Sequence, residues 1–223
     1  MKLKTITALI FLTLLVSFTT KAQKTNNPFK GIITYKITYP ELNVNPAQQT
    51  SMPQTMKLYL DGNKARAELL MADMTQVLIM DSDAKTTVIL LDIMDKKVAM
   101  KPNKQNKPLG KEPIVEPANE SKEIAGYVCK KANIHYGDEK SKLNPVVVYY
   151  SNEVGDNKIF YDNEYRNLTG IPLEFRYKMQ GMNMLLTATS VEKGRVSNRQ
   201  FEVPSEYKET TPEQLRQLFG GGM

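Results

Sequence analysis

Cys129 and His135 are the residues whose types could support nucleophilic or metal chemistry, because the 223-residue chain holds one cysteine and one histidine. Nucleophilic catalysis of this kind joins a thiol or hydroxyl to a histidine base. The two residues lie on one predicted strand at an even spacing, so their side chains share a face but stand about 20 Å apart along it. That separation prevents direct proton transfer between them, and a single histidine with a single cysteine leaves no complete zinc ligand set.

Other catalytic patterns are equally weak in this sequence. No glycine-rich phosphate loop follows a predicted strand. The carboxylates are scattered over predicted turns and give no positive support for a paired-carboxylate hydrolase, which is the least favoured functional class. We therefore predict a protein that is not an enzyme and that uses no cofactor and no metal.

The lone Cys129 has two interpretations. A thiol without a partner in the same chain could be reactive or could bridge two chains. Free cysteine is also among the most buried residue types and behaves as a small apolar side chain. The second interpretation is favoured, and folding stability is then expected to come from core packing.

The N-terminus has the three parts of a secretory signal peptide. Lys2 and Lys4 precede an apolar run over 6–18, and Thr20 and Ala22 supply small residues for cleavage after Ala22. The run is shorter than the roughly 20 residues of a membrane-spanning helix. No cysteine follows the cleavage point to take a lipid anchor, so we predict an exported, soluble protein of the periplasm or exterior.

The charge of the chain argues against a nucleic-acid partner. Removal of residues 1–22 would lower the formal net charge from +6 to +3. A charge of that size, dispersed along the sequence, does not form the basic patch that nucleic-acid binding requires.

The elements predicted from the sequence are mostly strands. Apolar and polar residues alternate with a period of two in runs such as 31–39, 64–70 and 173–179, with turn signals between them. We predict a mainly β fold with one or two short helices, in which about ten strands form a strongly curved antiparallel sheet. Val196–Val203 is assigned as the closing strand.

The predicted organisation is a single β domain over 23–210. It is interrupted by a long loop over 102–122, which carries four prolines and few apolar residues. A short helix is predicted over 160–168, ending near Gly170. A capping box at Thr211-Pro212-Glu213-Gln214 predicts a C-terminal helix, so that 211–223 form a helix and tail.

Methionine is abundant on the apolar strand faces, where it serves either as core filler or as the lining of a binding surface. In addition, both faces are apolar in 77–80 and 88–91, so these strands need cover on two sides. One side would be the concave interior of a curled sheet. The other would need a helix, a partner or an apolar ligand.

Two motifs resemble a known protein family. The segment Ile124-Ala-Gly-Tyr-Val-Cys-Lys-Lys131 is similar to a strand of uncharacterised exported envelope proteins, a domain-of-unknown-function family. The C-terminal pattern agrees, with Gly170-Ile-Pro-Leu-Glu174, Phe201-Glu-Val-Pro204 and Tyr207-Lys208. That family distantly resembles the lipoprotein carriers LolA and LolB. The resemblance implies a half-open β-barrel around an apolar cavity with helical lids, but it transfers no individual residue.

Two functions stay open after this reasoning. The first is a periplasmic binding or carrier protein for a hydrophobic small molecule, a lipid or a lipoprotein, with a role in maintaining the cell envelope. The alternative is a non-catalytic structural or interaction protein of the envelope with a packed core. The oligomeric state is left open. The predicted ligand-binding residues are Ile33, Tyr35, Leu58, Met80, Met100, Phe175, Tyr177 and Met184, and the predicted lid residues are Phe160, Tyr161, Tyr165 and Leu168.

Overall fold

The computed structural model describes residues 28–42, 51–72, 74–102, 111–156, 158–179 and 181–218. The signal peptide predicted over 1–22, the middle of the predicted loop and the tail after 218 lie outside these ranges. The described helices are α1, Glu139–Leu143, and α2, Pro212–Leu218, with 3₁₀ turns at Lys158–Phe160 and Asn198–Phe201. The strands are β1 Lys30–Thr38, β2 Thr55–Asp61, β3 Lys64–Met71, β4 Met74–Asp81, β5 Thr86–Ile93, β6 Lys96–Met100, β7 Ile114–Ile124, β8 Tyr127–His135, β9 Val146–Ser151, β10 Ile171–Met179, β11 Met182–Lys193 and β12 Lys208–Thr210.

All twelve strands belong to one sheet, in the order β12-β6-β5-β4-β3-β2-β1-β11-β10-β9-β8-β7. Every neighbouring pair is antiparallel except β12 and β6, which are parallel. The first strand lies in the middle, so β2–β6 extend to one side of it and β7–β11 to the other. The mainly β fold with two short helices is confirmed, and the sheet is not closed into a barrel.

The sheet bends strongly about its inner face, as two neighbouring residues show. The Phe160 ring lies 5.8 Å from the Phe175 ring of β10, and the Tyr161 hydroxyl lies 3.3 Å from the Thr87 hydroxyl of β5. These strands are six strand spacings apart in the sheet, which is about 29 Å in a flat sheet. Adjacent residues can reach both strands only because the sheet curves round to meet them.

Strands β4–β6 are covered on both faces, as their two-sided apolar pattern requires. On the outer face Val77 and Leu90 lie opposite each other and pack against Phe201 and Tyr207. On the inner face Leu91 and its neighbours pack against Leu215 of α2. The C-terminal segment therefore passes from the outer face, around the β6 edge as β12, to the inner face.

The prediction of a loop over 102–122 is wrong from residue 114 onward, because strand β7 begins there. This strand lies at the end of the sheet and is exposed along most of its length, so it lacks the alternation that marks a half-buried strand. The strand tolerates Pro117 because its pairing with β8 shifts register between Pro117 and Ser121. An ion pair from Glu120 to Lys131 (2.8 Å) links β7 to its partner strand β8, and a second from Lys122 (2.7 Å) reaches Glu174 of β10, three strands away in the sheet order.

Two further predictions of secondary structure differ from the fold. The predicted strand Val196–Val203 is instead a 3₁₀ turn at Asn198–Phe201 on the outer face, and the last strand is β12. The predicted helix over 160–168 is one 3₁₀ turn followed by irregular turns.

The predicted C-terminal helix is confirmed together with its capping box. The Gln214 backbone N–H donates to the Thr211 hydroxyl (3.2 Å), and the Thr211 backbone N–H donates to the Gln214 side-chain oxygen (3.0 Å). These two bonds satisfy backbone N–H groups that the first turn of a helix otherwise leaves open.

Candidate functional site

A cavity of about 340 Å³ lies on the inner face of the sheet, between β2–β5 and the segment 158–168. Its size falls within the range of small-molecule sites, roughly 300 to 1,000 Å³. Apolar side chains supply most of the lining, and polar groups gather on the side of the 158–168 segment. The lining residues are Met56, Leu58, Ala67, Leu69, Leu78, Met80, Thr87, Ile159, Phe160, Asp162, Asn163, Glu164, Tyr165, Phe175, Tyr177, Lys178 and Leu186.

One wall of the cavity is the segment 158–168, which Phe175 of β10 holds in place. The Phe175 ring makes edge-to-face contacts with Phe160 (5.8 Å) and Tyr165 (5.4 Å) from the segment. The Tyr165 hydroxyl also donates to the Arg176 carbonyl at 2.6 Å. Such aromatic pairs add about 0.5–1.5 kcal/mol beyond the area they bury. This packing favours a fixed wall rather than a swinging lid.

The glycines that flank this segment are required by close packing. A Cβ on Gly155 would lie 2.6 Å from the Phe29 Cβ, and a Cβ on Gly170 would lie 2.6 Å from the Ser151 carbonyl oxygen. Both distances are shorter than side chains permit. Because these two positions are glycine, the ends of the segment can pack closely against Phe29 and Ser151.

Two acidic residues belong to the cavity lining, Asp162 and Glu164. Asp162 and Glu164 both raise the pKa of the Tyr177 hydroxyl, after the larger effect of its burial, so both carboxylates lie near it. Partial desolvation also raises the pKa of Asp162 itself. Lys178 of β10 is the cation among the described lining residues, and its side chain is exposed.

The structure divides the predicted ligand-binding residues into two groups. Leu58, Met80, Phe175 and Tyr177 line the cavity. Ile33, Tyr35 and Met184 are fully buried in the main core and are not part of the lining. Met100 is half-buried on β6, where it lies opposite Ile89 and outside the lining.

The predicted lid residues are also divided. Phe160 and Tyr165 line the cavity, whereas Leu168 is packed in the core beyond it. Tyr161 bridges to Thr87 of β5 through its hydroxyl and so ties the segment across the inner face.

Tyr35 illustrates why an inward-facing aromatic residue need not line a cavity. Its hydroxyl donates to the Pro172 carbonyl at 2.9 Å, and its ring packs on Phe175 at 5.6 Å. Burial raises the pKa of this hydroxyl far above its usual value. Both its polar and its apolar surfaces are therefore already engaged.

The sequence reasoning missed the small and the polar members of the lining. Ala67 leaves space because it faces Leu58 and Leu78 on neighbouring strands with only a methyl group. The two-sided apolar pattern of β4 could have indicated Leu78. Asp162 and Glu164 carried no signal, because they lie within the segment 160–168 that was predicted as a helix and that forms turns instead.

No family model matches the sequence, and no curated protein shows significant similarity to it. The interpretation of the cavity rests on its own chemistry.

The two residues with catalytic potential lie away from the cavity lining. Burial raises the pKa of the Cys129 thiol to about 11, and the thiol donates to the Tyr127 carbonyl. His135 Nδ1 accepts from the Gly137 amide (3.1 Å), so a neutral imidazole carries its proton on Nε2, 3.0 Å from Glu116 Oε1. Both residues hold local structure around β8.

The described ranges contain no group of three His, Cys, Asp or Glu side chains placed to hold a metal ion. No helix within the same ranges is both long and apolar enough to cross a membrane.

Proposed function

We propose that this protein binds an apolar or lipid-like ligand in the cavity between β2–β5 and the segment 158–168. The observation that carries this proposal is the space itself. Methionine, leucine and aromatic side chains from strands on both sides of the bend surround about 340 Å³ that they do not fill. The cavity opens to solvent, and a largely apolar cleft of this size falls in the range of small-molecule sites.

The lining also fits a ligand of variable shape. Met56 and Met80 contribute flexible, polarisable side chains that adapt to different apolar surfaces. The Phe160, Tyr165 and Tyr177 rings add flat, rigid contact area. Chemically, the site is able to bind and shield an apolar group, and its lining offers no nucleophile paired with a base.

The wider role we propose is that of a soluble carrier or binding protein of the cell envelope. The signal-peptide pattern of residues 1–22 supports export. The bent, open-ended sheet with a cavity on its inner face supports the half-open barrel architecture implied by the resemblance to LolA-like carriers. Fold alone does not fix a function, so the cavity remains the main argument.

A pair of substitutions on β3 tests the proposal. Ala67 and Ala65 lie on the same face two positions apart, but only Ala67 lines the cavity. We expect Ala67→Leu to fill the space, keeping or raising the melting temperature while abolishing uptake of N-phenyl-1-naphthylamine, a neutral fluorescent apolar probe. Ala65→Leu should instead overpack the core and destabilise the fold by about 1–3 kcal/mol.

The outcome separates the two functions considered from the sequence. Ligand binding is supported if the unmodified chain takes up the probe and the Ala67→Leu variant does not. If the unmodified chain takes up no probe and carries no small molecule in native mass spectrometry, the space is a packing defect. A structural or interaction role in the envelope would then replace the proposal.

A further inference from the structure

We infer that the ligand of this cavity carries a neutral oxygen acceptor, such as the carbonyl of an ester, amide or ketone, and that the Tyr177 hydroxyl donates a hydrogen bond to it. This inference rests on the proposed function and specifies its ligand further. Small-molecule sites are largely apolar, and a few placed polar groups fix the orientation of the ligand. Tyr177 is the residue of the described lining that fits this role.

Tyr177 lies near the end of β10, on the strand face that also carries Phe175. Both residues line the cavity, and Tyr177 is half-buried. The carboxylates of Asp162 and Glu164, which belong to the same lining, lie near its hydroxyl. The hydroxyl therefore lies on the cavity side of the sheet, close to the wall formed by the segment 158–168.

The neighbouring tyrosines show what a hydroxyl in this region normally does. Tyr35 and Tyr165 donate to backbone carbonyls at 2.9 Å and 2.6 Å, and the Tyr161 hydroxyl lies 3.3 Å from the Thr87 hydroxyl. The Tyr177 hydroxyl has no hydrogen-bond partner among the described residues. A partly desolvated hydroxyl is costly to leave without a partner, so a ligand that supplies one gains affinity.

The Tyr177 hydroxyl keeps its proton at neutral pH and is able to donate it. Burial raises its pKa, and the nearby carboxylates of Asp162 and Glu164 raise it further. The lining contains these two carboxylates and the exposed Lys178, so its charge has no single sign. The polar complement of the site is therefore a neutral oxygen, which accepts the proton without bringing a charge into a largely apolar cleft.

Two naphthalene probes of nearly equal shape test for the acceptor. Methyl naphthyl ketone carries an oxygen atom where isopropenylnaphthalene, substituted at the same ring position, carries a methylene group. Each probe displaces N-phenyl-1-naphthylamine from the protein, and the measured quantity is the affinity for the ketone divided by the affinity for the alkene. A variant that only perturbs the apolar part of the site changes both affinities and leaves this ratio unchanged.

We expect Tyr177→Phe to lower the ratio about fivefold, the effect of losing one neutral hydrogen bond. The melting temperature should not fall, because the hydroxyl forms no hydrogen bond within the described structure. Tyr165→Phe is the matched control, since its ring also lines the cavity but its hydroxyl already donates to the Arg176 carbonyl. This control should lower the melting temperature and leave the ratio unchanged.

Two results would overturn the inference and leave the proposed function intact. The first is an unchanged ratio in Tyr177→Phe while both probes still displace the fluorophore. The second is a fall in melting temperature as large in Tyr177→Phe as in Tyr165→Phe, because the hydroxyl would then be bonded within the protein. Failure of the fluorophore to bind, or failure of both probes to displace it, would defeat the proposed function itself.

Discussion

Buried polar side chains in this protein are held by backbone groups of neighbouring elements. The hydroxyls of Tyr35 and Tyr165 donate to carbonyls of β10, and His135 accepts from the Gly137 amide. A buried polar group left without such a partner costs about 1–3 kcal/mol. The tyrosine hydrogen bonds therefore stabilise the core. Among the described residues, His135 Nε2 is the buried side-chain atom that has no hydrogen-bond partner, although Glu116 Oε1 lies 3.0 Å from it.

Burial also leads to a prediction for Cys129, whose side chain is fully buried. Burial raises the pKa of its thiol to about 11, so the reactive thiolate is scarce near neutral pH. We expect labelling of the native chain by a thiol reagent at pH 8 to be at least about tenfold slower than labelling in denaturant. Rapid and complete labelling, or a disulfide-linked dimer on a non-reducing gel, would contradict this.

The pH dependence of stability offers a second measurement on Cys129. The folded-state pKa of about 11 lies above the value for an unfolded thiol. The contribution to stability is therefore complete below the unfolded pKa and is lost as the pH rises toward 11. The free energy of unfolding should fall less steeply in Cys129→Ala over that interval than in the unmodified chain.

Among the elements, the β7–β8 hairpin offers the clearest prediction. Ile124 pairs with Tyr127, so Ala125 and Gly126 form a two-residue turn, and both have positive φ (51° and 81°). Asn-Gly is the preferred pair for this turn type, and alanine pays a steric penalty there. Ala125→Asn should raise the free energy of unfolding by about 0.5–1 kcal/mol in a denaturant titration.

A matched control for the hairpin is Gly126→Ala. No atom lies within 4 Å of the position that its Cβ would take, so only backbone strain is added. We expect a loss of about 1–2 kcal/mol. Destabilisation by both substitutions to a similar extent would show that the turn does not govern this hairpin.

This hairpin also shows how far the sequence could predict the elements. Period-two alternation correctly indicated strands such as β1, β3 and β10, because one face of each is buried. The pattern failed for β7, since an exposed edge strand has no buried face to mark it. The Ala125-Gly126 turn before a strand was a signal that a partner strand precedes it.

The candidate site was predictable only in part for a similar reason. The sequence indicates which side chains face inward, and Leu58, Met80 and Phe175 do so. It does not indicate where packing leaves space, because that depends on strands from opposite sides of the bend. Met184 and Tyr177 lie opposite each other on β11 and β10, yet only Tyr177 reaches the cavity.

For the molecule as a whole, the C-terminal segment closes one end of the sheet. Parallel pairing of β12 covers the backbone edge of β6, and Leu215 covers Leu91 and Val98. Deleting residues 208–223 exposes an apolar surface and an unpaired edge together, which promotes edge-to-edge association. We expect the shortened chain to aggregate in light scattering and to melt at lower temperature.

Deletion of residues 219–223 alone is the control for this experiment. It keeps β12 and α2, so the melting temperature and scattering should match those of the full chain. A shortened chain that stays monodisperse after loss of residues 208–223 would show that β6 needs no cover.

The central position of β1 has a consequence for the order of folding. Its partner β2 follows it directly, but its other partner is β11, and Gly31 of β1 pairs with Lys193 near the end of the chain. Local hairpins form quickly, whereas contacts between distant residues carry a loop-closure penalty and form slowly. The β1–β6 and β7–β11 meanders should therefore assemble first and join late. The edge of β1 that pairs with β11 is then the edge that stays open longest during folding, although it lies in the middle of the finished sheet.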